Sequence, residues 1–254
     1  MGKAIAIHSY KGGVGKTVFA SSLGAIYAKA GKNVCIMDFD FRAPSLQDTF
    51  KAKKFKYWVN DFLEGRREIE DALIDVTEVY GTKGKFLVGL ANPSAEAVRD
   101  MITKDRSDEA RALQRMISMK TKLFKEGIDY LIMDTSPGIH YSSLNAILVS
   151  DYVIVVTTVD ASDMGGTKRT IKEIYDTLDR KVEIVVNKVP AELLMSVEEG
   201  RKLNKYIEES FGLGKLGVIP CFCDVLKFDR GAIFSLDKPD HPFTKALTEV
   251  AWKI

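Results

Sequence analysis

A short glycine-rich segment near the start of the chain carries residue types that bind phosphate. Residues 11–17 read Lys-Gly-Gly-Val-Gly-Lys-Thr, follow closely on an apolar run and open a helical pattern that continues to Ala30. Glycines reach backbone angles closed to other residues, so successive N–H groups can converge on phosphate oxygens at the positive end of a helix. Lys16 would supply a positive charge for the β- and γ-phosphates, and the Thr17 hydroxyl would bind Mg²⁺. The segment therefore predicts a nucleotide-phosphate site.

This segment departs from the common phosphate-loop pattern, G-x-x-x-x-G-K-[ST], at one position. The pattern requires a glycine five residues before Gly15, where this chain has Tyr10, and the next residue is a second lysine, Lys11. The match is therefore to a variant phosphate loop, and Lys11 is its distinguishing residue.

Aspartates close two further apolar runs. Asp38 and Asp40 leave the run at residues 34–38 and are placed to hold a Mg²⁺-bound water and to orient an attacking water, although turn or cap aspartates would look the same. Asp134 closes the run at residues 130–134 and is followed by Thr-Ser-Pro-Gly. In such a segment the aspartate would act through the water shell of the metal, and the Gly138 N–H would sense the γ-phosphate.

The elements that must position these residues follow from apolar runs that recur at intervals too long for hairpins. Strands are predicted at residues 4–8, 34–38, 85–91, 130–134, 152–159, 182–187 and 216–220, and helices at 16–30, 105–126, 141–149, 164–179, 191–211 and 243–253. This order predicts an α/β fold with a doubly wound, mostly parallel sheet of about seven strands and helices on both faces. Ligands in such sheets bind beyond the carboxyl ends of the strands, where the aspartates and the phosphate loop are expected.

Composition sets the broad class. The 254 residues, of which 46% are hydrophobic, can form one large core, so we expect a single domain over residues 1–254. A net charge of +2 gives no support for nucleic-acid binding. The longest basic cluster, residues 51–56, could contact an anionic partner, but a solvated surface stretch is the favoured interpretation. The odd cysteine count, three, and the lack of a signal peptide predict a reduced, cytoplasmic protein.

Together these motifs resemble the MinD/ParA/Mrp family of deviant Walker A P-loop ATPases, and in particular an archaeal-type MinD/Mrp-like member. The likeness covers essentially the whole chain and is anchored at residues 11–17, 38–46, 134–138 and 187–188. It implies a Mg²⁺-dependent switch that binds and hydrolyses ATP, with two subunits sandwiching two nucleotides. Hydrolysis would be slow and stimulated by a partner, and the cofactors would be ATP or ADP and Mg²⁺.

The resemblance also implies roles for individual residues. Lys11 would reach the partner subunit's phosphates like an arginine finger in trans, and Asp40 would orient the water, so Lys11, Lys16 and Asp40 are the expected catalytic residues. The expected phosphate-binding residues are Gly12, Gly13, Val14, Gly15, Lys16, Thr17, Val18 and Gly138. The other expected contacts are Thr17 to Mg²⁺, Asp38 and Asp134 to Mg²⁺ through water, Asn187 to the adenine edge and Pro220 to its face.

Two positions depart from the family pattern. Val18 stands where many relatives have a second hydroxyl residue, which leaves only its backbone N–H for the α-phosphate. Asp160 follows the fifth predicted strand at the place where MinD proteins tend to have a glutamate near the dimer interface.

The C-terminal segment bears on whether the protein binds a membrane or another partner. An apolar stripe near the C-terminus comprises Phe243, Ala246, Leu247, Val250, Ala251 and Ile254. Only two lysines accompany this stripe, so a last core helix is favoured over a membrane-binding helix. DNA binding of the ParA kind stays open without support from the charge distribution.

A pair of cysteines suggests another class of partner. Cys221 and Cys223 from two subunits could supply four sulfur ligands for zinc, nickel or an iron–sulfur cluster, and metal-centre assembly ATPases belong to the same family. Small apolar fillers in a core loop are the simpler interpretation of both cysteines. The histidines at positions 8, 140 and 241 are too scattered to complete a ligand set.

We therefore expect a homodimeric, ATP-dependent switch that regulates an unidentified partner protein in positioning of the cell-division or partition type. One alternative is a metallochaperone-type ATPase that assists metal-centre assembly, such as iron–sulfur carriage or nickel insertion for hydrogenase maturation. Another is a nucleotide-dependent binding module with negligible turnover.

Overall fold

The computed structural model describes residues 2–50, 55–178, 180–228 and 231–254. Within these ranges eight strands form one sheet: β1 (Lys3–His8), β2 (Val34–Phe39), β3 (Leu73–Asp75), β4 (Phe86–Gly89), β5 (Tyr130–Thr135), β6 (Tyr152–Thr157), β7 (Lys181–Val189) and β8 (Gly214–Pro220). Their spatial order is β3-β4-β2-β5-β1-β6-β7-β8. All neighbours pair in parallel except β3 and β4.

Helices connect the strands and cover the sheet. They are α1 (Lys16–Lys29), α2 (Leu46–Thr49), α3 (Val59–Leu63), α4 (Thr77–Tyr80), α5 (Ala95–Thr103), α6 (Arg106–Lys125), α7 (Tyr141–Val149), α8 (Ala161–Glu173), α9 (Val197–Phe211), α10 (Cys223–Lys227), α11 (Phe234–Asp237) and α12 (Pro242–Ala251). Short 3₁₀ helices lie at Ile69–Ala72, Tyr175–Thr177 and Ala191–Leu194.

The predicted fold class is confirmed, with one strand more than expected. All seven predicted strands are present, and the additional strand, β3, is a three-residue antiparallel edge strand within the long connection from β2 to β4. A strand this short has too little apolar alternation to stand out in a sequence.

Two predicted helices have different bounds in the structure, because capping residues start a helix at other positions. The predicted helix at 191–211 is a 3₁₀ turn followed by α9, because the Ser196 hydroxyl accepts the Glu199 N–H and starts a new helix. The predicted helix at 164–179 begins earlier, at Ala161, since Asp160 caps α8 by accepting the Asp163 N–H. Its predicted last residue, Asp179, lies outside the described residues, as do residues 51–54 of the basic cluster.

The core lies on both faces of the sheet, and β1 illustrates the division. Ile5 and Ile7 join the cluster formed with α1 and α12, whereas Ala4 and Ala6 face the clusters formed with α6 to α9. Both faces of the strand are buried, as expected for a parallel sheet covered by helices. The loop after β1 therefore begins at the end of a strand that is covered by helices on both faces.

The C-terminal apolar stripe belongs to the core, as predicted. The stripe residues Phe243, Leu247, Val250 and Ala251 are buried in the cluster that includes α1. Among the described residues, no helix has both the length and the apolar character needed to cross a membrane.

Candidate nucleotide-binding site

The phosphate loop connects β1 to α1, and two of its glycines have left-handed backbone angles. Gly13 has φ 77° and Gly15, the residue that precedes α1, has φ 97°. A Cβ atom on Gly15 would also lie 2.6 Å from Asn187 Nδ2. Glycine is therefore required at position 15 both by the backbone conformation and by the space available.

Lys16 is buried inside this loop. Its side chain is 6% exposed, and its Nζ donates a hydrogen bond of 2.9 Å to Ser9 Oγ. Burial lowers the pKa of Lys16, opposed by the nearby carboxylates of Asp134 and Asp40. The buried ammonium group thus lies at the loop that would hold the phosphates and at the start of α1, where the N–H groups of a helix lack partners within the helix.

Two aspartates face each other on neighbouring strands beside the loop. Asp38 of β2 and Asp134 of β5 are paired in the sheet register, and both are buried. Burial raises the pKa of Asp134 to about 6, and burial together with the charge of Asp134 raises the pKa of Asp38 well above its usual value. A cation placed beside them would relieve this unfavourable burial of negative charge.

The oxygen atoms available around Asp134 fit a magnesium ion. The Thr17 hydroxyl donates to Asp134 Oδ2 at 2.7 Å, whereas the buried Asp134 Oδ1 has no hydrogen-bond partner among the described residues. Thr17 and Asp134 therefore supply the hard oxygen ligands that Mg²⁺ prefers. Both Asp38 oxygens already accept backbone N–H groups, from Asp40 and from the residues at 45 and 46, so Asp38 would act through its charge or through water.

We expect the variant Asp134→Asn to raise the free energy of unfolding at pH 7 by about 1–3 kcal/mol. The folded-state pKa of about 6 lies above the ordinary 3.8, so the folded protein binds more protons than the unfolded one between these values. This contribution to stability therefore falls as pH rises through that window, and the advantage of the variant should shrink towards pH 4. Urea unfolding at several pH values measures both effects.

A control at another aspartate separates charge burial from a general effect of substitution. Asp163 is equally buried, but its Oδ2 accepts hydrogen bonds from the hydroxyls of Thr157 and Thr158 and from the Thr158 N–H. Asp163→Asn should therefore lower stability. Equal stability of wild type and Asp134→Asn at pH 7 would contradict the account of the aspartate pair.

Asp40 connects the two loops that follow β2 and β5. Its Oδ1 accepts hydrogen bonds from Ser136 Oγ at 2.9 Å and from the Ala43 N–H at 3.1 Å. Gly138, in the loop after β5, has φ 76°, and its N–H donates to the Ser9 carbonyl at 2.8 Å. Contact between this N–H and a γ-phosphate, as predicted, would require the bond to Ser9 to break.

Lys11 points away from the buried part of its own loop. Its Nζ lies 2.9 Å from Asp160 Oδ1, and the two side chains are 40% and 59% exposed. The hydrogen bond that Lys11 donates to Asp160 raises the pKa of Lys11. The structure thus brings together Lys11 and Asp160, which the sequence left unconnected.

A cavity of about 230 Å³ adjoins the loop beside Asn187 and Pro220. Asn187 Nδ2 donates to the Val14 carbonyl at 2.8 Å, and Lys188, with φ 55°, donates from Nζ to the Gly13 carbonyl at 2.6 Å. Val18 also lines this cavity, together with aromatic residues that sequence reasoning missed: Phe222, Phe228, Phe234 and Phe243. Apolar walls with a few polar groups are typical of sites for a planar base.

The two cysteines lie at this cavity but form no metal site within one copy of the chain. Cys221 lines the cavity, Cys223 is exposed at the start of α10, and both are free thiols. The described residues contain no group of three or more His, Cys, Asp or Glu side chains arranged to hold a metal. The predicted transition-metal site therefore has no support from this geometry.

The fold and the site define this protein as a P-loop nucleotide-binding protein. The features that define the class are a glycine loop after β1, a buried lysine, a hydroxyl paired with a carboxylate, and an adjacent apolar cavity. A family model described as an AAA domain matches residues 2–184. The septum site-determining protein MinD of Bacillus subtilis is 29% identical over 266 residues, covering 100% of this chain and 89% of the relative. The chain belongs to the MinD/ParA family of P-loop ATPases.

Solved structures share the fold at low sequence identity. MinD of Pyrococcus horikoshii in complex with Mg-ADP has a TM-score of 0.77 at 19% identity, covering 100% of this chain and 96% of that one. A chain of the MinC:MinD cell division complex of Aquifex aeolicus has a TM-score of 0.77 at 23% identity, covering 99% of this chain and 95% of that one. These likenesses support the fold and add no residue-level roles.

Proposed function

We propose that this protein is a Mg²⁺-dependent ATPase switch that dimerises around ATP and regulates a partner protein. The observation that carries the proposal is the division of labour between two lysines of one loop: Lys16 is buried at the phosphate site, whereas Lys11 is exposed at its edge. Lys16 would bind the subunit's own nucleotide, and Lys11 would leave its present partner for a neighbouring subunit.

Binding of the nucleotide would use groups that are already in place. The loop N–H groups and Lys16 would bind the β- and γ-phosphates, and the base would enter the cavity beside Asn187 and Pro220. When bound, Mg²⁺ would neutralise the developing charge on the phosphate oxygens. Thr17 and Asp134 are the residues that would hold it.

Hydrolysis would depend on Asp40 and on closure of the site by a second subunit. Within the described residues, both hydrogen bonds to the Asp40 carboxylate end on Oδ1, which leaves Oδ2 available to accept a proton of the attacking water. Lys11 would exchange Asp160 for the phosphates of the partner subunit. Since both the present ion pair and the proposed contact are electrostatic, the exchange requires no new type of interaction.

The ATP-bound dimer would be the form that a partner protein recognises. The MinD chain of Aquifex aeolicus is part of a complex with MinC, which supports a protein partner for this chain as well. Release after hydrolysis would follow from loss of the γ-phosphate contacts.

The proposal predicts a nucleotide-dependent change in mass. Size-exclusion chromatography with light scattering should report a dimer with Mg²⁺ and a non-hydrolysable ATP analogue, and a monomer with Mg-ADP. The variant Lys16→Ala should stay monomeric in both, because it lacks the buried ammonium that binds the phosphates. An identical mass of the wild type with the two nucleotides would overturn the dimer model.

A further inference from the structure

His8, the last residue of β1, is buried between the loop after β5 and the segment after α8. Its Nε2 lies 2.9 Å from the Gly138 carbonyl oxygen, and its Nδ1 is hydrogen-bonded to the Tyr175 hydroxyl. Both side chains are buried, His8 with 1% and Tyr175 with 3% exposure. The sequence indicated no partner for His8, so both contacts are new information from the structure.

The direction of both hydrogen bonds follows from the chemistry of the groups. A carbonyl oxygen only accepts, so Nε2 must carry the proton and donate to Gly138. Burial lowers the pKa of His8 to about 4, so the ring is neutral at physiological pH and Nδ1 accepts a hydrogen bond. The Tyr175 hydroxyl is therefore the donor, and it fixes the tautomer that Gly138 requires.

Gly138 is held from several sides by this arrangement. Its carbonyl also accepts from Ser143 Oγ at 3.1 Å, and its own N–H donates to the Ser9 carbonyl at 2.8 Å. The N–H group that the proposed function assigns to the γ-phosphate is thus already bonded. To release it, the loop must turn and the bonds to the Gly138 peptide groups must loosen.

The end of β1 and the loop after it contact the α8 region at two further points. The Tyr10 ring packs on Gly166, since a Cβ atom there would lie 2.0 Å from Tyr10 Cε1, and Lys11 pairs with Asp160 at the start of α8. A movement of the Gly138 loop is therefore transmitted through His8 and Tyr175 to the segment after the C-terminus of α8. A movement of Lys11 is transmitted through Asp160 to the N-terminus of α8.

We propose that His8 and Tyr175 are positioning residues that clamp Gly138 against Ser9 and thereby weaken the preference of the site for ATP over ADP. The inference rests on the proposed function, because it takes Gly138 as the γ-phosphate sensor. ATP binding works against the clamp, whereas ADP has no γ-phosphate and leaves it intact. ATP binding therefore weakens the hydrogen bonds of the clamp and displaces Tyr175 and the segment that follows α8.

The test compares two tyrosines that are both buried and both lose one hydroxyl in the variant. Tyr175→Phe removes the donor to His8, and Tyr27→Phe removes a hydroxyl that donates to the Ala251 carbonyl at 2.7 Å, far from the loop. Calorimetry with Mg²⁺ measures the dissociation constants for ADP and for a non-hydrolysable ATP analogue. We expect Tyr175→Phe to increase analogue affinity relative to ADP affinity about fivefold, the effect of one hydrogen bond, and Tyr27→Phe to leave the ratio unchanged.

Substitutions of His8 give an independent second test. His8→Met removes the donor to Gly138 and should shift the ratio in the same direction as Tyr175→Phe. His8→Gln can place an amide N–H near the position of Nε2 and should return the ratio towards the wild-type value.

An unchanged or lowered preference for the analogue in both Tyr175→Phe and His8→Met would overturn the clamp. Failure of the wild type to bind either nucleotide would instead overturn the proposed function, so the two failures are distinguishable.

Discussion

Replacing Lys11 by glutamine is expected to lower the rate of ATP hydrolysis about 10³-fold, the lower end of the effect of a charged finger residue in other NTPases. The affinity for ADP should change less than about twofold, because Lys11 lies at the exposed edge of the loop and pairs with Asp160 rather than facing its own phosphate site. Phosphate release at saturating Mg-ATP measures the first effect, and calorimetry with ADP measures the second.

A second exposed lysine provides a matched control for this variant. Lys122 forms an ion pair with Glu70 on the surface, and the hydrogen bond that it donates to this carboxylate raises the pKa of Lys122, as Asp160 does for Lys11. Lys122→Gln should hydrolyse ATP at the wild-type rate. Wild-type turnover by Lys11→Gln would refute the role of the distinguishing lysine, and turnover too low to measure in the wild type would favour the pure binding module.

Replacing Asp40 by alanine is expected to lower hydrolysis by about 10²–10⁴-fold while nucleotide affinity stays within about threefold. The carboxylate is held between two loops by Ser136 and the Ala43 N–H, so its loss removes both the acceptor for the attacking water and a connection between the loops. Single-turnover hydrolysis, measured with enzyme in excess, separates this chemical step from product release.

Asp75 is the appropriate control for Asp40. Its Oδ1 also accepts one backbone N–H and one hydroxyl, both from Thr77, but it lies on the edge strand β3. Asp75→Ala should therefore affect local stability without changing the single-turnover rate. A rate for Asp40→Ala equal to that of Asp75→Ala would exclude Asp40 as the water-orienting residue.

Local sequence patterns were sufficient to predict the phosphate loop and the aspartates beside it. The phosphate loop and the aspartates at the ends of β2 and β5 each depend on a strand, a turn and the residue types at that turn, whereas the aromatic lining of the cavity comes from residues that no local pattern marked. The rule that parallel strands place their carboxyl ends together was sufficient to predict that Asp38 and Asp134 are near Thr17.

Contacts between residues far apart in the chain were not predictable. His8 meets Tyr175 across 167 positions, and Lys11 meets Asp160 across 149, and no periodic pattern indicates either pair. The use of both Asp38 oxygens by backbone N–H groups likewise depends on how the loop after β2 folds back on that strand. These features follow from tertiary packing, which a single sequence specifies only indirectly.

The most direct measurement of the shared site is hydrolysis by a mixture of two inactive variants. In a heterodimer of Lys11→Gln and Asp40→Ala subunits, the first subunit keeps its own Asp40 and receives Lys11 from the second, so one of the two sites is complete. Half of the dimers in an equal, randomly assorted mixture are heterodimers, so the account predicts about one quarter of wild-type activity. If the mixture is no more active than the separate variants, Lys11 does not act across the interface and the composite site is wrong.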